Sequence, residues 1–248
     1  MNSRRNFILK GSIATTALLA ARPLKAIANA ASSLSGFSSN NNQVVFLHTA
    51  ELNEGSTNRA MRFIEMIKDN SPNTILLNAG NKRSASLPFD VSIQPCETSP
   101  AYNIEYSIVE KEGIRTGVIK ALPGDTDVIN NTNRLATFLK KEKDCQVVVC
   151  LSQLGYKNNS TPDDESLAAS SLHIDLIVSG HMTNFYPRPV VLANKQKQEV
   201  IIHASAGTAH ACGKVEIGLD KYGVKSKVVL ANKLDSGIFE NKKVVKAS

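Results

Sequence analysis

The hydrophobic pattern changes period several times along this chain. From residue 43, "QVVFLHT" is a short apolar run that ends in polar residues, which predicts a buried strand. "STNRAMRFIEMIKDN" then spaces Ala60, Phe63, Ile64 and Ile67 three and four apart behind a Ser/Thr/Asn cap, the signature of an amphipathic helix. "NTILLNAG" returns to the strand pattern, and strand–helix–strand predicts a βαβ opening with parallel pairing. Residues 82–100, broken by Pro88, Pro95 and Pro100, are expected to be irregular. "AYNIEYSIVEKEGIRTGVIKAL" alternates Tyr102, Ile104, Tyr106 and Ile108, turns at Glu112-Gly113 and returns, which predicts a hairpin.

"NNTNRLATFLKKEKD" and "TPDDESLAASSL" predict capped helices, the second with acids in its first turn where the helix dipole favours them. "CQVVVCLSQLG" and "IDLIVSGHMT" predict buried strands. Beyond them "PVVLANK", "EVIIHASAG", "GKVEIGLD" and "VKSKVVLAN" predict an antiparallel meander, followed by a polar tail over 236–248. The expected class is α/β, with the main domain spanning 43–235.

The N-terminus changes the charge reading. Residues 1–30 carry Arg4-Arg5, a mildly apolar stretch from Gly11 to Ala21, and the small-x-small signal Ala28-Asn29-Ala30. Together these predict a twin-arginine-type signal peptide and export. The apolar stretch is far shorter than the ~18–20 residues of a membrane span. A Ser/Asn-rich linker is expected over 31–42. Of the 29 basic residues five (Arg4, Arg5, Lys10, Arg22, Lys25) lie in the leader, leaving 24 against 22 acidic ones, a net charge of +2. The pI of 9.2 is therefore no argument for a nucleic-acid partner, and membrane association is expected only through a retained leader. Cys96, Cys145, Cys150 and Cys212 form no Cys-x-x-Cys and do not read as a disulfide framework; Cys150 reads as a small core residue.

Four apolar strands end in polar loops: "LHTAELNE", "LLNAGN", "CLSQLG" and "VSGHMT". In a mostly parallel sheet such ends gather along one edge, where α/β folds place ligand sites. At these loops the chain resembles the 5′-nucleotidase branch of the calcineurin-like metallophosphoesterases. "FLHTAELNE" is similar to the family's "LHTNDLHG", "NTILLNAGN" to "NTLLLDAGD", "VVVCLSQLGY" to "VVVLLSHLGY", and "IDLIVSGHMTNF" to "IDLILGGHSHT". "EVIIHASAGTAHACGKVEIGLD" resembles its closing "VVQAGAYGKYLGRLDLTLD". The resemblance runs from Val44 to about Leu230 and implies a metallophosphoesterase-like sandwich of two mixed β-sheets flanked by helices, with the antiparallel meander at the C-terminus.

In that family the loops hold two divalent metals about 3.5–4 Å apart, which activate a hydroxide for attack on a phosphate ester. Carried over, the resemblance puts Glu51 at the first Asp, Asn53 at its His, Asn81 at the bridging Asp, Gln153 at the His after Leu-Ser, and Thr183 at the last His. Only His181 is kept, and the family's Gly-Asn-His-Glu loop has no counterpart. Two dications that close repel by roughly 17 kcal/mol even at an effective dielectric of about 20. Asn81 brings no charge against this, and Gln153 and Thr183 are weak donors for a borderline metal. No catalytic residue and no metal pair are expected. Glu51 and His181 could hold at most one weakly bound divalent ion, Mn²⁺ or Zn²⁺, with Asn81, Asn53 or Glu54 adding an oxygen.

The other histidines and acids have plainer readings. His181 is either a residual ligand or a loop histidine. His48 is read as a hydrogen-bonding support of its loop, and His203 with His210 as satisfied or solvated histidines or a new metal pair. Asp163, Asp164 and Glu165 are read as a helix cap, and Tyr156 and Phe185 as strand-end packing or the lining of a nucleotide pocket. The resemblance implies a base-stacking domain beyond this one, so a separate nucleotide-binding chain or another exported protein is the expected partner. The expected function is an exported binding or accessory protein without two-metal phosphatase activity; the alternative is a residual metal-dependent phosphate-ester hydrolase around His181.

Overall fold

A computed structural model of the chain describes residues 42–49, 64–65, 67–69, 71–80, 89–93, 106–157, 162–180, 189–204, 211–234 and 239–246. The leader and the linker up to residue 41 lie outside the described residues, as do Ala60, Phe63, Cys96, Phe185 and His210.

The predicted βαβ opening is present. β1 (Gln43–Thr49) pairs in parallel with β2 (Thr74–Asn78), and the described residues between them at 64–65 and 67–69 are helical. The predicted hairpin is β4 (Tyr106–Lys111) and β5 (Ile114–Ala121), antiparallel, turning on Glu112 (φ 47°) and Gly113 (φ 77°). Two successive positive φ values make the two-residue turn whose twist matches the strands, and Gly113 adopts its φ without a Cβ penalty. α1 (Val128–Lys141), β6 (Val147–Ser152), α2 (Asp164–Ser170) and β7 (Leu176–Ser179) then alternate, giving the parallel run β5–β6–β7.

The end of the chain departs from the expected single meander. β8 (Val190–Ala193) and β9 (Glu199–Ala204) form an antiparallel hairpin, but β9 also pairs in parallel with β7. β10 (Ala211–Leu219), β11 (Lys225–Leu234) and β12 (Phe239–Lys246) form the meander, and β10 pairs with β1. Alternation identifies strands but not their sheet, so the four segments divide between two sheets. β12 lies where a polar tail was expected over 236–248, and the domain therefore runs past 235. Val244 and Val245 register with Val229 and Val228, so a sheet edge organises a segment too polar to announce itself. β3 (Val91–Ser92), in the stretch expected to be irregular, pairs in parallel with β2.

The strand orders are β12-β11-β10-β1-β2-β3 and β4-β5-β6-β7-β9-β8. Both sheets are mixed. Phe46, Leu77 and Val215 of the first share one buried cluster with Val118, Val149 and Val178 of the second, so the sheets pack face to face. The second sheet's other face carries α1 and α2 through Leu139, Leu167 and Ile177. On the first sheet's outer face Ile64 and Ile67 join Val45, Leu47 and Leu76.

Two carboxylates fasten the helices and strands. Asp163 caps α2 in a reciprocal box: its side chain accepts from the Ser166 amide at 2.8 Å, and Ser166 Oγ accepts from the Asp163 amide at 2.9 Å. Asp163→Ala is expected to lower stability by about 1 kcal/mol, read as a fall of a few degrees in Tm. Asp175, before β7, is buried beside two lysines from different elements. Lys140 Nζ of α1 lies 3.0 Å from its Oδ2, and Lys225 Nζ of β11 lies 3.4 Å from its Oδ1. The Val148 amide also donates to Oδ2 at 2.9 Å. Burial alone would raise this carboxyl's pKa; the two lysines outweigh it and hold it below the ordinary range. Lys225 thus ties the first sheet to the second at the edge where β7 begins.

Candidate functional site

The opposite edge is where the parallel strands end. Thr49 stands in register with Asn78, and Ser152 with Ala121 and Ser179. The hydrogen bonds step on beyond the strands: Ala79 donates to the Thr49 carbonyl at 3.0 Å, Gln153 to Ala121 at 2.9 Å, and Gly180 to Ser152 at 2.8 Å. Asn78 Oδ1 accepts from the Gly80 amide at 3.0 Å, turning the chain away after β2. The two sheets meet here at main-chain distance. A Cβ on Gly180 would sit 1.7 Å from the Ala79 carbonyl oxygen, so only glycine allows the end of β7 to reach the end of β2. The structure therefore brings together the residues that precede the predicted loops.

Of the predicted site positions, Gln153 is described. It follows β6 directly and is half-buried, at the position where the family resemblance has a histidine. Glu51, Asn53, Asn81, His181 and Thr183 lie outside the described residues. So does Glu54. In sequence Asn81 follows Gly80 and His181 follows Gly180. Among the described residues no group of three or more His, Cys, Asp or Glu side chains could hold a metal ion. Cys145, Cys150 and Cys212 are buried thiols, and burial pushes Cys150 well up out of the reactive range.

Two features of this edge escaped the sequence reading. Asp164, expected to be part of a helix cap, is fully buried. Its two carboxylate oxygens accept from Ser152 Oγ and Ser179 Oγ, the last residues of β6 and β7. Its amide donates to the Gly155 carbonyl at 2.9 Å, and Ser152 Oγ also accepts from the Leu154 amide at 3.1 Å. One carboxylate thus fixes the start of the loop holding Gln153 and the strand end leading to His181. The partners lie 12 and 15 residues away, so capping spacing could not reveal them.

The second is a histidine pair across the sandwich. His48 of β1 and His203 of β9 are both buried, with Nε2 of His48 2.6 Å from Nδ1 of His203 and the rings edge to face at 90°. Among the described residues His48 Nδ1 has no hydrogen-bond partner, and it is buried. The less costly arrangement puts the shared proton on His48 Nε2, which leaves Nδ1 a bare acceptor rather than a stranded donor. Burial holds His203 down to about 4, and burial together with His203 holds His48 well below the ordinary histidine value. His48 thus supports its strand end by hydrogen bonding, as expected, but through a partner on the other sheet.

Two mixed sheets face to face, helices outside, and the ends of the parallel strands gathered at one edge make a two-sheet α/β sandwich. No family model and no curated protein sequence matches the chain. Solved structures do. The NAD nucleotidase of Haemophilus influenzae is 14% identical, with a TM-score of 0.59 over 83% of this chain and 54% of that one. A 5′-nucleotidase precursor from Thermus thermophilus is 14% identical, with a TM-score of 0.52 over the same shares, 83% and 54%. The chain therefore spans about half the length of these proteins, and the likeness is one of fold.

Proposed function

We propose that this chain is a binding or accessory protein on a phosphoesterase scaffold that has lost its two-metal chemistry. The support lies in a contrast at one edge. The main-chain platform is kept, down to Gly180 packed on Ala79. The donors are not: Glu51, Asn53, Asn81, Gln153 and Thr183 stand where the family resemblance has Asp, His, Asp, His and His. A half-buried amide at Gln153 supplies only a weak neutral oxygen, and neutral donors do not offset the repulsion between paired dications. A separate nucleotide-binding chain or another exported protein would engage this edge, reached by twin-arginine export directed by residues 1–30. Among the described residues no helix is long and apolar enough to cross a membrane.

His181 in its Gly-His context favours a second reading, a residual phosphate-ester hydrolase with one ion held by Glu51 and His181. Metal content decides between them. After equilibration with Mn²⁺ and Zn²⁺ and desalting, mass spectrometry of the purified protein is expected to find well under one ion per chain. One ion that disappears in His181→Ala, together with metal-dependent phosphate-ester hydrolysis, would establish the second reading. Two ions per chain would overturn the first.

A further inference from the structure

We propose that the His48–His203 pair is a proton-operated latch between the two sheets, closed while both rings are neutral and opened at the site edge by proton uptake. The rings come from different sheets, 155 residues apart in sequence, and meet beside the strand ends that build the candidate site. One proton bridges them. A proton taken up at the bare Nδ1 of His48 would leave a buried cation, and one taken up at Nδ1 of His203 would set two donors against each other and break the bond.

Nothing described around the pair compensates a charge. His48 stands between Leu77 of β2 and Gly213 of β10, and His203 beside Val178 of β7. Lys120 of β5 shares the inner row Lys120–Leu151–Val178–His203 but stands three strands over. Lys214 and Glu216 alternate to the other face of β10, where they pair with each other at 2.5 Å. Cys212 belongs to the outer cluster with Val45 and Leu47.

The rings also have no room to move toward β10. A Cβ on Gly213 would meet His48 Cε1 at 2.2 Å and His203 Cε1 at 3.0 Å, so the imidazoles lie flush on the β10 main chain. Relief must come from parting the sheets and admitting water. The Asp175–Lys225 contact holds the other edge, so the parting is confined to this one. The sign follows from linkage. Both folded-state histidine values are lowered, so the open form binds more protons. Closure is complete above about pH 6.5 and weakens as pH falls toward about 4.

The test is hydrogen exchange of the full chain at pH 6.5 and 4.5, corrected for intrinsic rates. Peptides from 44–49, 201–204 and 211–215 are expected to open more at pH 4.5, by roughly thirtyfold from His203 alone. Peptides over 147–149 and 175–177 should hold their protection, and a His48→Gln/His203→Gln variant should lose the pH response. Equal loosening at both edges, no loosening, or an unchanged response in the variant would each overturn the latch. If the variant does not fold, the comparison of edges in the wild type decides alone. Neither metal nor ligand enters this test, so it stands apart from the proposed function.

Discussion

Replacing Asp175 with alanine is expected to lower the free energy of unfolding by about 3–5 kcal/mol, the largest loss from any single carboxylate among the described residues. Both carboxylate oxygens are engaged, by Lys140 and the Val148 amide on one side and Lys225 on the other. The lysines have further bonds, to the Gln146 carbonyl at 2.6 Å and the Glu199 carbonyl at 2.5 Å. The substitution would leave two partly buried ammonium groups with carbonyls alone, which cannot neutralise them. Because the folded carboxyl is held below its ordinary value, its contribution is present at neutral pH and lost only below about pH 4. Urea unfolding at pH 7 measures the effect, and a loss under 1 kcal/mol would contradict the buried-triad reading.

Gly180→Ala is expected to cost about 3 kcal/mol or more, at the upper end of what overpacking does. The added methyl meets a main-chain oxygen rather than a flexible side chain, so β2 or β7 must shift by more than an ångström. Gly218→Ala is the control: there the nearest atom would be 3.5 Å away, and the change should stay within about 0.5 kcal/mol. Equal thermal stability of the two variants would mean that the sheets do not meet at Gly180. The same substitution should alter any ligand or partner binding at the edge.

Most of this architecture could be read from the sequence because local periodicity carried it. The runs "QVVFLHT", "CQVVVC" and "DLIVS" are strands by length and apolarity, and Glu112-Gly113 marks a hairpin by its turn chemistry. What could not be read depends on partners far along the chain. β12 is a strand because β11 offers an edge, and the C-terminal strands divide between sheets because of pairings that alternation does not encode. The site showed the same division. Its strand ends were visible where four apolar runs turn polar. Asp164 looked like a cap because its neighbour is one, and His48 and His203 carried no mark of each other.

The placement of β1 also bears on how the chain is made. This strand belongs at the centre of its sheet, yet one of its two neighbours, β10, begins about 160 residues later. Until residue 219 has left the ribosome, the emerging polypeptide holds an apolar strand with an unfilled edge, and until residue 203 has, His48 has no partner. Such long-range closure is slow and exposes an aggregation-prone surface while it is pending. Residue 219 must therefore be translated before the first described strand can be sheltered on both sides.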